Sequence, residues 1–161
     1  MSATPIKAWV RAFGLGIVAG LRSTMAPALL SRAAARGDLE GIEDTAFARV
    51  ASGKISKLLT LLAAGEVLAD KTLPLPARTS GLVLLGRVGS GALVGAALFA
   101  SEKRAGTLGA TLGAAGAVTG AYAGEGLRQR VGEKLGRPDP ALALLEDVAA
   151  VTAGLLALRS R

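Results

Sequence analysis

Hydrophobic positions run along this chain in blocks of helix length, separated by short clusters of charge, glycine and proline. The first block covers residues 12–31 and is interrupted only by Arg22. At 1.5 Å rise per residue, such a block matches the roughly 30 Å of a bilayer's hydrocarbon. Arg36, Gly37 and Asp38 close it, and a polar stretch leads to Asp44, which suits the N-cap of a helix over 45–70. In that helix Phe47, Val50, Ile55, Leu58, Leu59 and Leu62 recur at near-helical spacing among Arg49, Lys54 and Lys57. The pattern predicts a lead-in lying at an interface and a membrane part over 58–70, short enough to be re-entrant. Lys71 suits its C-terminus, and Pro74 and Pro76 stop it. A third block, 79–101, carries one charge, Arg87, and a fourth, 105–124, carries none. The turn Glu102-Lys103-Arg104 joins them. Pro138, Asp139 and Pro140 open a last helix over 140–158 that contains Glu146 and Asp147.

These elements predict an all-α chain: a polytopic transmembrane bundle of four to five short helices, forming one integral membrane domain over 1–161. Lys7 and Arg11 ahead of an apolar run look like the start of a signal peptide, but Arg22 interrupts the apolar core that cleavage requires. The first segment is therefore expected to be a retained helix. With five crossings the Lys and Arg divide almost evenly between the two sides, which leaves the positive-inside rule nothing to act on. Four crossings with 58–70 re-entrant is preferred to the alternative, insertion both ways round with antiparallel pairing.

Composition sharpens the membrane expectation. Apolar residues make up 51% of the chain but aromatics only 3%, so the apolar mass is Ala, Leu, Gly and Val. Each of the 22 glycines would cost about 1 kcal/mol against Ala inside a helix in water. In a bilayer, small residues let helices approach closely. Gly109 and Gly113, then Gly116, Gly120 and Gly124, form two neighbouring stripes in the fourth block; Gly91 with Gly95, and Gly16 with Gly20, repeat the device. These glycines are expected to pack helices in the manner of a glycine zipper and to offer a surface for a homo-oligomer.

The net charge of +7 raises the question of nucleic acid, and the distribution answers it. The basic residues lie mostly between apolar blocks, with almost no aromatic side chains to stack on bases, so no nucleic-acid partner is expected. The chain has no Cys and no His, which removes thiol and imidazole chemistry and the usual zinc and haem ligands. No enzyme activity and no cofactor are expected; a metal would have to be held by oxygens.

Ionisable residues inside the apolar blocks carry the chemistry. A charge at a helix centre costs roughly 2.5–3.5 kcal/mol on insertion scales, so it is normally paired or set in a polar cavity. Arg22 and Arg87 lie deep in their blocks, and Glu66, Asp70, Glu125, Glu146 and Asp147 are available to answer them. Glu66 and Asp70, four apart, share one helical face. Glu146 and Asp147, adjacent, point about 100° apart. One reading makes these charges structural ion pairs that fix register. The other makes them a polar site near mid-membrane that exchanges a proton or binds a cation. Ser23 and Thr24 add hydroxyls beside Arg22, and Pro27 frees a backbone carbonyl near Ser23, which suits either a broken helix lining a cavity or an ordinary kink.

Three motifs carry a resemblance: Gly20-Leu21-Arg22 with Pro27, Glu66-Val67-Leu68-Ala69-Asp70-Lys71 with Pro74, and Leu145-Glu146-Asp147-Val148. In these the chain resembles a family of uncharacterised bacterial membrane proteins, domain of unknown function 4126. The resemblance implies a multi-pass protein of the bacterial inner membrane and brings no established activity. The expected function is a small channel or transporter for an ion or small solute, with Arg22, Glu66, Asp70, Lys71, Arg87, Glu146 and Asp147 as the binding set. The alternative is a structural or assembly protein whose glycine stripes mediate packing and oligomerisation.

Overall fold

A computed structural model describes residues 5–72, 79–135 and 140–159. Every regular element among them is helical: α1 (Pro5–Leu21), α2 (Met25–Ala35), α3 (Gly53–Thr72), α4 (Gly81–Ser101), α5 (Gly106–Leu135) and α6 (Pro140–Arg159), with one 3-10 turn at Ala48–Ala51. Among the described residues, α4 alone is long and apolar enough to cross a membrane, with a mean hydropathy of 1.8; the apolar run Asp147–Leu158 in α6 is shorter.

The block 12–31 is two helices, and the second runs back alongside the first. Going down α1, Gly14 lies beside Ala157 and Arg22 bonds Asp147, so α6 is antiparallel to α1. Going along α2, Leu29 lies beside Gly154 and Arg36 shares a cavity with Leu158. The chain therefore reverses within Arg22, Ser23 and Thr24. Proline explains why the helix cannot run through: the ring of Pro27 would clash with the carbonyl of Ser23 four residues earlier, whereas in the first turn of a new helix its missing N–H costs nothing. At its other end α2 stops in a Schellman motif. Gly37 adopts φ 79°, its N–H donates to the Ala34 carbonyl at 3.0 Å, and the Asp38 N–H donates to Ala33 at 2.9 Å.

Two further boundaries differ from the sequence pattern. Residues 45–52 are not the start of α3, because the Thr45 hydroxyl donates to the Ile42 carbonyl at 2.7 Å and accepts the Phe47 N–H at 3.1 Å, which holds a turn. Phe47 and Val50 then pack on the core rather than lie at an interface. The fourth helix runs on past 124 to Leu135. Its charge-free stretch marked the apolar part of the helix, and Gln129 bonding back to Glu125 at 3.3 Å supports the polar extension.

α5 lies between α1 and α4. A Cβ at Gly95 would overlap the Gly109 carbonyl, one at Gly113 the Gly91 carbonyl, one at Gly116 the Phe13 carbonyl, and one at Gly120 the Ile17 carbonyl. Gly16 likewise lies against Gly113, and Gly20 against Ala117 and Gly120. One stripe of α5 thus meets α4 and the other meets α1, and these glycines are used within the chain. Gly124 is buried. The rest of the core follows suit, with Ala8, Ala12, Ala19, Ala97, Ala117 and Ala150 fully buried beside a few larger residues such as Leu15, Leu98 and Phe99. Gly113→Ala is expected to lower stability by about 1–3 kcal/mol, because the methyl meets backbone that cannot yield. Gly65→Ala, open on all sides, is expected to stabilise by up to about 1 kcal/mol. Thermal unfolding of the two variants side by side checks the contrast.

Candidate functional site

A reversal inside a helical bundle creates an accounting problem. The last carbonyls of α1 and the first N–H groups of α2 have no partner in their own helices, and none is offered by water in an apolar core. The sequence solves it with the side chains that looked misplaced. Glu66, on α3, brings its carboxylate to the start of α2. Its Oε1 accepts from the Ser23 N–H and the Ser23 hydroxyl, both at 2.9 Å. Its Oε2 accepts from the Thr24 N–H at 2.8 Å and the Thr24 hydroxyl at 2.5 Å. One carboxylate thereby answers two backbone donors and two hydroxyls, at the positive end of a helix dipole.

The carbonyl side is answered by α4. Arg87 Nη1 donates to the Gly20 carbonyl at 2.7 Å, and the Ser90 hydroxyl donates to the Ser23 carbonyl at 2.5 Å. Arg87 Nη2 also stands 3.8 Å from Glu66 Oε1, so the cation that caps α1 faces the anion that caps α2. Arg22 turns the other way, and its Nε donates to Asp147 Oδ1 on α6 at 2.8 Å. Arg22 is 2% exposed and Arg87 and Asp147 7% each.

Four of the residues singled out on insertion cost, Arg22, Glu66, Arg87 and Asp147, meet at this reversal. Glu125 stands apart, bonded to Gln129 on its own helix. The side chains of Asp70, Lys71 and Glu146 lie outside the described residues, as do segments 73–78 and 136–139 with Pro74, Pro76, Pro138 and Asp139. Among the described residues no group of three acidic side chains could hold a metal ion.

The cluster sits inside the bundle rather than at its end. Arg11, at the level of Ala157, is roughly 16 Å above Arg22 along α1, and α4 continues roughly 9 Å below Arg87 to Gly81. At the upper end lies a second buried ion pair that the sequence pattern did not reveal. Arg11, 4% exposed, donates through Nε to the Ala157 carbonyl at 2.6 Å and pairs with Glu102, which also stands 3.3 Å from Arg104. Arg11 looked like a leader charge and Glu102 like a loop charge. A signal was present: Ala8, Arg11, Ala12, Leu15, Val18, Ala19 and Arg22 are all buried, and eleven residues make about three full turns, so Arg11 and Arg22 share one face.

The reversal thus presents a negative carboxylate held at a half-length helix, a guanidinium behind it, and a separate buried ion pair beside it. Chemically it can bind an anion in place of Glu66, take up a proton on Glu66, or simply lock the hairpin. Comparison with protein-family models, with characterised proteins and with solved structures returns no match for this chain, so the family resemblance rests on its three motifs alone.

Proposed function

We propose that the chain is a multi-pass protein of the bacterial inner membrane that conducts or exchanges a small ion or solute, with its site at the α1–α2 reversal. The membrane part of this reading is supported by what the helices leave uncovered. Ile6 on α1, Leu61 on α3, Leu82 on α4, Tyr122 on α5 and Leu145 on α6 are more than half exposed, while Ala and Gly fill the contacts of α5 with α1 and α4. Water disfavours that exposure of large apolar side chains, and lipid tolerates it.

In this reading the re-entrant element is the α1–α2 hairpin, not segment 58–70, and α3 to α6 make four crossings. Orientation then follows. Lys7, Arg11, Arg32, Arg36, Arg49, Lys54, Lys57, Lys103, Arg104 and Arg159 fall on one side among the described residues, against Lys71, Arg128, Arg130 and Lys134 on the other. The first side is the cytoplasmic one.

The observation that carries the transport reading is Glu66 seated on the N-terminus of a half-length helix within the bundle. Discontinuous helices whose positive ends face an anionic group near the midplane are how many transporters build their sites. Reconstituted protein is expected to show a pH- or cation-dependent flux that Glu66→Gln abolishes while the variant still folds, since glutamine keeps one acceptor oxygen. A flux unchanged by Glu66→Gln would overturn the reading. The second reading, a structural or assembly protein, is favoured by the fact that Glu66 has four donors within its own chain. It predicts no flux from the wild-type protein.

A further inference from the structure

We propose that the groove between α2 and α3 is a binding site for an anionic phospholipid, with its phosphate at Arg32, Arg36 and Lys57 and an acyl chain along the groove floor. The inference rests on the membrane part of the reading above and is independent of transport. α2 and α3 are antiparallel: Thr24 meets Glu66 at one end, and Arg32 and Ser56 line one cavity at the other. Between them run two consecutive hollows that share Arg32 and Thr60.

The lower hollow, about 450 Å³, is walled by Met25, Ala28, Leu29, Ala64, Val67 and Leu68. Apart from Arg32 and Thr60 at its upper edge, its lining is hydrocarbon. The upper hollow, about 510 Å³, is lined by Arg32, Arg36 and Lys57, by Ser56 and Thr60, by Ala35 and Leu61, and by Gly53, the first residue of α3. Three basic side chains and the start of a helix therefore border one space, whose walls include their aliphatic stems. Among the described residues, no acidic side chain lines either hollow. Asp38 lines a third cavity with Arg32 and Arg36, between α2 and α6.

Size and polarity together select the occupant. A free anion would use only the upper hollow and leave the apolar one empty; a neutral lipid would use the lower one and leave three cations unanswered. An anionic phospholipid fills both, because its phosphate and its acyl chain are covalently joined and the two hollows meet at Arg32 and Thr60. The orientation argued from the basic residues puts this end at the cytoplasmic leaflet, where anionic headgroups attract juxtamembrane cations.

The test uses the full chain, purified in neutral detergent and stripped of lipid. Thermal stability is followed while adding phosphatidylglycerol, phosphatidylcholine or inorganic phosphate, and insertion is checked by flotation with vesicles of phosphatidylcholine alone. Phosphatidylglycerol is expected to stabilise the protein saturably, and phosphatidylcholine and phosphate to do so far less. Arg32→Gln and Lys57→Gln are each expected to weaken the phosphatidylglycerol effect roughly five-fold, Ala64→Phe to reduce it by filling the floor, and Lys7→Gln to leave it intact. Insertion into neutral vesicles with equal stabilisation by both lipids would overturn the lipid site and spare the membrane reading. Equal stabilisation by phosphate alone would overturn the lipid as occupant. Failure to insert into any vesicle would overturn both.

Discussion

Replacing Glu66 with alanine is expected to destabilise the protein by about 3–5 kcal/mol, the range seen when one partner of a buried charge network is removed. The magnitude comes from what is left behind. The Ser23 and Thr24 N–H groups lose their acceptor, and Arg87 loses the carboxylate 3.8 Å away. Hydrogen bonds to a charged acceptor contribute roughly 1.5–3 kcal/mol each, and an unanswered buried donor carries its desolvation cost in full. Glu66→Gln should lose less, because an amide oxygen can still accept from one pair of donors. Chemical unfolding in mixed micelles measures the loss, and amide exchange at Ser23 and Thr24 localises it. Unchanged exchange at those two amides in Glu66→Ala would mean that α2 is held in place by something else.

Arg22→Ala and Asp147→Ala are each expected to cost a similar amount, about 3–5 kcal/mol, because either leaves a charge in the interior without its closest partner. The double variant should cost clearly less than the sum of the two, since the second substitution removes the charge stranded by the first. Arg22→Met combined with Asp147→Leu should come nearer still to the wild-type stability, as well-packed apolar replacements of a buried pair often do. Strict additivity of the single variants would show that the pair at 2.8 Å contributes nothing as a pair. The cycle also bears on function, because a flux that survives the Met/Leu replacement would exclude Arg22 and Asp147 from any ion path.

Both predictions concern charges legible from insertion cost alone. An arginine in the middle of an apolar block must be answered, and the acids able to answer Arg22 and Arg87 were few. Helix type was equally legible where the blocks were long: α4 and the apolar part of α5 follow directly from the spacing of Leu, Val and Gly. The two glycine stripes of α5 were visible as a repeat, but a repeat does not say what it faces. Only the bundle shows that one stripe meets α4 and the other α1, so that the glycines considered for an oligomer are taken up within the chain.

The reversal at Arg22, Ser23 and Thr24 was the part least open to reading. Pro27 announces that a continuous helix is interrupted, and Ser23 and Thr24 offer polar atoms beside the interruption. A kink and a full reversal begin from the same local sequence. What separates them is whether the freed groups find partners, and those partners are remote: Glu66 is 43 positions from Ser23, and Ser90 is 67. Arg11 and Glu102, 91 positions apart, were missed for the same reason, since each looked ordinary in its own surroundings.

By itself, then, the amino-acid order determined that the chain is helical, that its interior must be closely packed, and which ionisable side chains could not remain unanswered. Periodicity, side-chain size and desolvation are properties of a residue and its near neighbours, so they can be read along a line. The direction of α2, the side on which the basic ends gather, and the choice of Asp147 for Arg22 were decided only in three dimensions. Each depends on which surfaces several helices bring together at once, and a backbone group freed at one point can be satisfied from any element that the packing carries there.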